Sequence, residues 1–97
     1  MTIAQDLAGK VVVVTGAGRG IGRQIAIGAG SRGAKVALVE LIAENLDATV
    51  KEISAMGITA KGYKTDVSSE SEIIKNFALI EKDFGQIDCL VNNAMIH

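Results

Sequence analysis

Apolar and polar positions along the chain come in blocks rather than in strict alternation. Residues 10–14 are a short β-branched run closed by Thr15-Gly16, the pattern of a buried strand. From Gly20 to Ser31, Ile21, Ile25 and Ala29 recur at helical spacing, and Arg32-Gly33 ends the stretch. Gly28 and Gly30 each weaken that helix by about 1 kcal/mol relative to alanine. Residues 35–40 form a second apolar strand. A helix over 43–56 follows, with Leu46, Val50 and Ile53 on one face and Gly57 as its stop. Residues 58–65 read as a weaker strand, interrupted by Gly62 and leading into Asp66-Val67. Ser69 and Glu72 have capping-box spacing at the start of a third helix. Its buried face carries Ile73, Phe77, Ile80 and Phe84, and Gly85 terminates it. A last strand over 87–92 runs into Asn93-Ala94.

The resulting order, β-α-β-α-β-α-β with continuously apolar strands, predicts an α/β fold whose parallel sheet is covered on both faces. Right-handed crossovers favour the doubly wound strand order 3-2-1-4. The chain of 97 residues has no linker, repeat or proline and reads as one partial domain over 1–97. Hydrophobic residues make up 48% of it, with a mean hydropathy of +0.33. That is rich for a small domain and implies more protein packing against it. The strand over 87–92 would then be a bare apolar edge in this chain alone, leaving it marginally stable.

A net charge of −1 with interspersed signs argues against nucleic-acid or membrane partners. The apolar runs are far short of a membrane span, and the N-terminus lacks the features of a signal peptide. Cys89 is the only cysteine, so an internal disulfide and a cysteine-based metal site are excluded. It reads as an inert thiol buried in a strand, and a reducing cytoplasm fits this usage.

The segment Thr15-Gly16-Ala17-Gly18-Arg19-Gly20-Ile21-Gly22 carries the chemistry, because it sits where the first strand hands over to the first helix. Gly16 allows a tight turn, Gly20 lets the backbone approach a pyrophosphate, and Gly22 lets the helix lie close to the sheet. The N–H groups and dipole of the helix start then hold the anion. Glu40 ends the second strand, 18 residues past Gly22. A carboxylate there suits both hydroxyls of an adenosine ribose, although a surface glutamate ending a strand looks the same in sequence.

These residues resemble the N-terminal part of the short-chain dehydrogenase/reductase family, from Leu7 onward. The family's T-G-x-x-x-G-x-G loop is present as Thr15 to Gly22. Its Asp-Val pair, which contacts the adenine ring, is matched by Asp66-Val67, and its Asn-Asn-Ala-Gly segment by Asn92-Asn93-Ala94. The resemblance implies a Rossmann-like sheet of about four strands here. It also implies a cofactor site drawn from Thr15, Gly16, Arg19, Gly20, Ile21, Gly22, Glu40, Asp66, Val67, Asn93 and Ala94. Met95 departs from the pattern, since the family glycine lets the backbone pass the nicotinamide-side ribose. Asn93 would tie the central strands together and line the adenosine pocket, against the plainer reading of a turn asparagine.

Charge at the ribose favours NAD over NADP. A 2′-phosphate about 4 Å from Glu40 would be repelled by roughly 4 kcal/mol at an effective dielectric near 20, or nearly three decades of affinity. Arg19 stands where basic residues of the family meet that phosphate, but it is solvated, and Leu41 adds no second basic contact. The resemblance implies hydride transfer between the nicotinamide and an alcohol or ketone in a homo-oligomeric parent. It also implies that the chain stops before the family's catalytic serine and Tyr-x-x-x-Lys pair, so no catalytic or metal-ligating residue is assigned. Tyr63 is followed four residues later by Val67 and does not fill that role, and His97 reads as a solvated end. The alternatives are a non-catalytic nucleotide-binding module or truncated product and, less well matched, an S-adenosylmethionine-dependent methyltransferase.

Overall fold

Four consecutive valines cannot be hidden by one neighbouring layer, because alternate side chains of a strand point to opposite faces. The computed structural model, which describes residues 5–93, buries Val11–Val14 from both sides. Its elements are β1 (Val11–Thr15), α1 (Gly20–Ser31), β2 (Lys35–Glu40), α2 (Ala43–Ala55), β3 (Ala60–Lys64), α3 (Glu70–Phe84) and β4 (Cys89–Asn92). The strands form one sheet in the order β3-β2-β1-β4, and every pairing is parallel. The predicted α/β class, the doubly wound 3-2-1-4 order and the element types are all present. The outer strands each begin two residues later than their apolar runs.

Two clusters follow from the central valines. Val12 and Val14 pack with Val36 and Leu38 of β2, Ala26 of α1, and Leu46 and Ile53 of α2. On the opposite face, Val13 meets Ala37, Val39, Tyr63 and Ile80 of α3. The division of helices has a topological cause. The chain steps outward from β1 to β2 to β3, then returns past β1 to reach β4. A reversal of direction with right-handed crossovers puts the returning helix on the other face.

Four expectations are corrected, the last at Gly62. Ile21 does not share the inner face of α1: it is 71% exposed, and Gly22 and Ala26 lie buried with Ile25 and Ala29 packed beside them. The glycine position sets the contact face, because α1 lies too close to the sheet for an isoleucine there. Cys89 is exposed rather than buried, since β4 is the edge of the described sheet. The capping box forms by half. Ser69 Oγ accepts the Glu72 N–H, but Glu72 Oε1 takes the Asp66 N–H at 3.1 Å, because the Ser69 N–H already donates to the Asp66 carbonyl.

Gly62 does not interrupt β3. A Cβ there would come within 2.9 Å of Leu46, so its absence lets α2 close on the strand. β3 is tied to the C-terminal half of α3 by Asp83, whose Oδ2 accepts from Lys61 Nζ at 2.7 Å and from the Tyr63 hydroxyl at 2.8 Å. The Lys61 bond, with help from Tyr63, holds the Asp83 carboxyl below its ordinary range. Burial, reinforced by Asp83, pushes the Tyr63 phenol well up. No helix among the described residues is long and apolar enough to cross a membrane.

At the opposite margin, β4 presents Leu90 at 50% exposure beside an unpaired backbone edge. Such an edge is a template for strand addition. The 97-residue chain by itself is therefore expected to self-associate as its concentration rises, and Leu90→Lys to shift it towards monomer. Sedimentation velocity reads both, and a wild-type chain that stays monomeric at all concentrations would contradict the expectation.

Candidate functional site

Parallel strands end together, so the residues singled out from the sequence fall on one edge of the sheet. Thr15 closes β1, Glu40 closes β2, Asp66-Val67 follow β3, and Asn92 closes β4 with Asn93 just beyond it. Strand order reverses between β1 and β4, and the crevice outside such a reversal is where open α/β sheets hold ligands. Ala94, Met95 and His97 lie outside the described residues.

The loop from Thr15 to α1 makes a tight turn. Gly16 and Gly20 have φ of +64° and +60°, values that an L side chain rarely adopts. A Cβ on Gly20 would meet nothing within 4 Å, so its open side is free for a ligand's close approach. A Cβ on Gly22 would collide with the Gly16 carbonyl oxygen and come within 2.8 Å of Asn93 Nδ2. The first turn of α1 thus rests directly on the loop and on the end of β4. Arg19, exposed, is its N-cap, and no side chain caps this helix start and no acidic residue sits in its first turn. By contrast, α3 opens on Ser69 with Glu70 and Glu72 in its first turn. The positive end of α1 is left for an external anion.

Thr15 and Asn93 lock the crevice. The Thr15 hydroxyl donates to Asn92 Oδ1 at 3.0 Å and accepts the Asn93 N–H at 2.9 Å, while Asn93 Nδ2 points at the Gly16 carbonyl, 3.5 Å away. The tie between the central strands expected of Asn93 is present, and Thr15 is its other half. Ile21 projects from the same helix turn into solvent.

Glu40 is half-buried and already engaged. Its Oε1 accepts the Gly18 N–H at 2.8 Å, and its Oε2 accepts the Ile42 N–H at 3.0 Å. A carboxylate has about four acceptor sites, so two amides fix its direction and leave lone pairs for a ligand. Asp66 is engaged differently. Its Oδ1 accepts the Ser68 hydroxyl at 2.6 Å and the Ser68 N–H at 2.9 Å, which hold its carboxyl below the ordinary value. Val67 packs against the α3-side cluster.

Two residues of the site carry no role in the sequence reading. Gly18 is one: a Cβ there would stand 2.5 Å from Glu40 Oε1. Thr49 is the other, with a buried hydroxyl donating to the Gly18 carbonyl at 2.9 Å. A cleft of about 190 Å³ opens there between loop and helix, lined by Gly18, Arg19, Arg23, Thr49 and Glu52, with Arg23 Nη1 on the Glu52 carboxylate. A signal for Thr49 exists, since it lies three residues after Leu46 and four before Ile53, on the buried face of α2.

Residues 10–97 match the family described as short chain dehydrogenase. The 5-keto-D-gluconate 5-reductase of Escherichia coli K12 is 40% identical over 91 residues, 94% of this chain and 36% of that protein. The chain therefore spans about a third of the length of the curated relatives it matches. Among solved structures, xylitol dehydrogenase with NAD+ bound superposes with a TM-score of 0.91 at 36% identity, over 94% of this chain and 35% of that one. A metagenomic short-chain oxidoreductase in complex with NADP gives 0.87 at 42% identity, over 92% and 40%.

Glycines within α1 separate space from propensity. Gly22→Ala is expected to destabilise the fold in spite of the better helix former, because its Cβ has no room. Gly28→Ala, which meets nothing within 4 Å, should stabilise it by about 0.5–1 kcal/mol. Urea denaturation of the two variants compares them, and a stabilised Gly22→Ala would refute the close approach.

Proposed function

The chain belongs to the short-chain dehydrogenase family, and from that footing we propose that it is the dinucleotide-binding part of an oxidoreductase that uses NAD in preference to NADP. The reaction is hydride transfer between the nicotinamide and an alcohol or carbonyl compound. One observation carries the reading. The uncapped, glycine-lined start of α1 and the fixed carboxylate of Glu40 lie at adjacent strand ends on the same edge of the sheet.

The bound nicotinamide supplies the carbon that takes or gives the hydride, and the residues of this chain bind and orient the cofactor. Gly16, Gly20 and Gly22 bring the amides of α1 close enough to hold a pyrophosphate. Glu40 accepts the hydroxyls of the adenosine ribose, and Asp66 and Val67 border the adenine. Thr15 and Asn93 keep the crevice at the reversal of strand order in shape, and Ile21 offers an apolar side chain beside it. Ala94 keeps the role that the family motif implies. Arg19 is a basic side chain near the ribose end of the loop, Arg23 in the same cleft is paired with Glu52, and a single solvated arginine does not outweigh a fixed carboxylate. Tyr63 is no acid/base candidate, because its hydroxyl is committed to Asp83.

Calorimetric titration of the full chain tests this reading. NAD is expected to bind and NADP to bind about two to three decades more weakly. Glu40→Ala should weaken NAD about tenfold and strengthen NADP, narrowing the gap from both sides. Equal affinities in the wild type would remove the NAD preference, and failure of both dinucleotides to bind would remove the reading itself.

A further inference from the structure

Gly18 is held through both of the peptide units that flank its Cα. Its N–H donates to Glu40 Oε1 at 2.8 Å, and its carbonyl accepts the Thr49 hydroxyl at 2.9 Å. Thr49 is 2% exposed and sits in the second turn of α2, a helix that otherwise turns apolar side chains inward. A buried threonine hydroxyl that bonds across to a loop, rather than back to its own helix, orients that loop. Gly18 has no Cβ, and one would displace the carboxylate, so Gly18 and Glu40 occupy one tightly fitted space.

We propose that Thr49 is a positioning residue for cofactor selection: by holding the Gly18 carbonyl it restrains this glycine, whose N–H in the preceding peptide unit meets Glu40, and so fixes the carboxylate that discriminates NAD from NADP. The proposal rests on the dinucleotide reading above. The physical step is short. Repulsion of a 2′-phosphate depends on where the charge is held, and a glutamate released from Gly18 swings into solvent, where water screens it. With Gly18 untied, the carboxylate loses one of its two fixed donors, the ribose loses an oriented acceptor, and Arg19 in the same loop meets a weaker opponent.

The test is dinucleotide binding by the full chain, wild type against Thr49→Val and Thr49→Ser. Valine keeps the shape and removes the hydroxyl; serine keeps the hydroxyl and removes a methyl. The expected result for Thr49→Val is an NAD Kd raised about three- to tenfold, an NADP Kd unchanged or lower, and a selectivity ratio reduced about tenfold. Thr49→Ser should keep the wild-type ratio within about twofold. A role in packing alone would weaken both dinucleotides by one factor and leave the ratio intact, and that result overturns the proposal, as does loss of selectivity in the serine variant. Where Thr49→Val does not fold, Thr49→Ala, the better helix former, carries the same comparison. Hydrogen exchange at the Gly18 amide of the ligand-free protein reads the relay without any cofactor. It should quicken in the valine or alanine variant and stay slow with serine, and an unchanged rate would overturn the relay. If the wild type binds neither dinucleotide, the functional reading fails, and the exchange result still decides whether Thr49 holds the loop.

Discussion

The site depends on one contact that leaves no room for a side chain. Gly22, in the first turn of α1, lies on the Gly16 carbonyl and beside Asn93, and a Cβ there has nowhere to go. Helix, loop and the end of β4 are thereby drawn into a single packed corner. Close packing of this kind turns a small geometric requirement into a fixed direction for the whole helix. The N-terminal amides of α1 aim along the crevice between β1 and β4 because Gly22 allows the helix to enter at that depth. The same depth accounts for Ile21. A helix seated on its glycine face turns the preceding residue outward, and an isoleucine that periodicity places in the core stands in solvent instead.

Around that corner the polar groups form a closed circuit. Thr15 joins the ends of β1 and β4 through Asn92 and Asn93. Ala17 donates its N–H to the Val39 carbonyl at 3.2 Å, and Gly18 continues the link through Glu40. Thr49 ties the loop to α2 from the far side. Each strand end is thus bonded to the loop or to its neighbour, and none relies on a ligand to hold it. A site that is rigid before binding loses less freedom when a ligand arrives.

Fold class, strand order and most of the glycine roles were legible in the sequence, because each rests on a local rule with a large penalty for violation. Four adjacent valines demand two covering layers, and a glycine between strand and helix demands a turn. The misreadings share a cause of another kind. In sequence Ile21, Cys89 and Glu72 carry only the pattern of their spacing, while their partners are set by the fold around them. Cys89 stands in an apolar run, yet that run is an edge. Glu72 stands at capping-box spacing, yet the partner amide is already taken by Asp66. In sequence, a threonine on a buried helix face looks no different from packing, and only the fold brings the Gly18 carbonyl to Thr49. The methyltransferase alternative drew on the same glycines, and membership of the short-chain dehydrogenase family sets it aside.

The two electrostatic features of the site oppose each other at close range, and on the proposed function their order along the edge is what would make the binder selective. At the end of β1 an uncapped helix start attracts negative charge, and at the end of β2, one strand spacing of about 4.8 Å away, a fixed carboxylate repels it. Helix-terminus attraction fades within the first turn and is shared among several amides. It therefore tolerates some latitude in where an anion lies. The carboxylate acts as a point charge, and its influence falls steeply with distance and exposure to water. Accepting one anion is thus a property of the backbone, secured by glycines that leave space. Refusing a second anion would be a property of one side chain, and only as sharp as the bonds that keep that side chain still. On this reading the selectivity of the site is decided less by the presence of Glu40 than by the peptide that holds it.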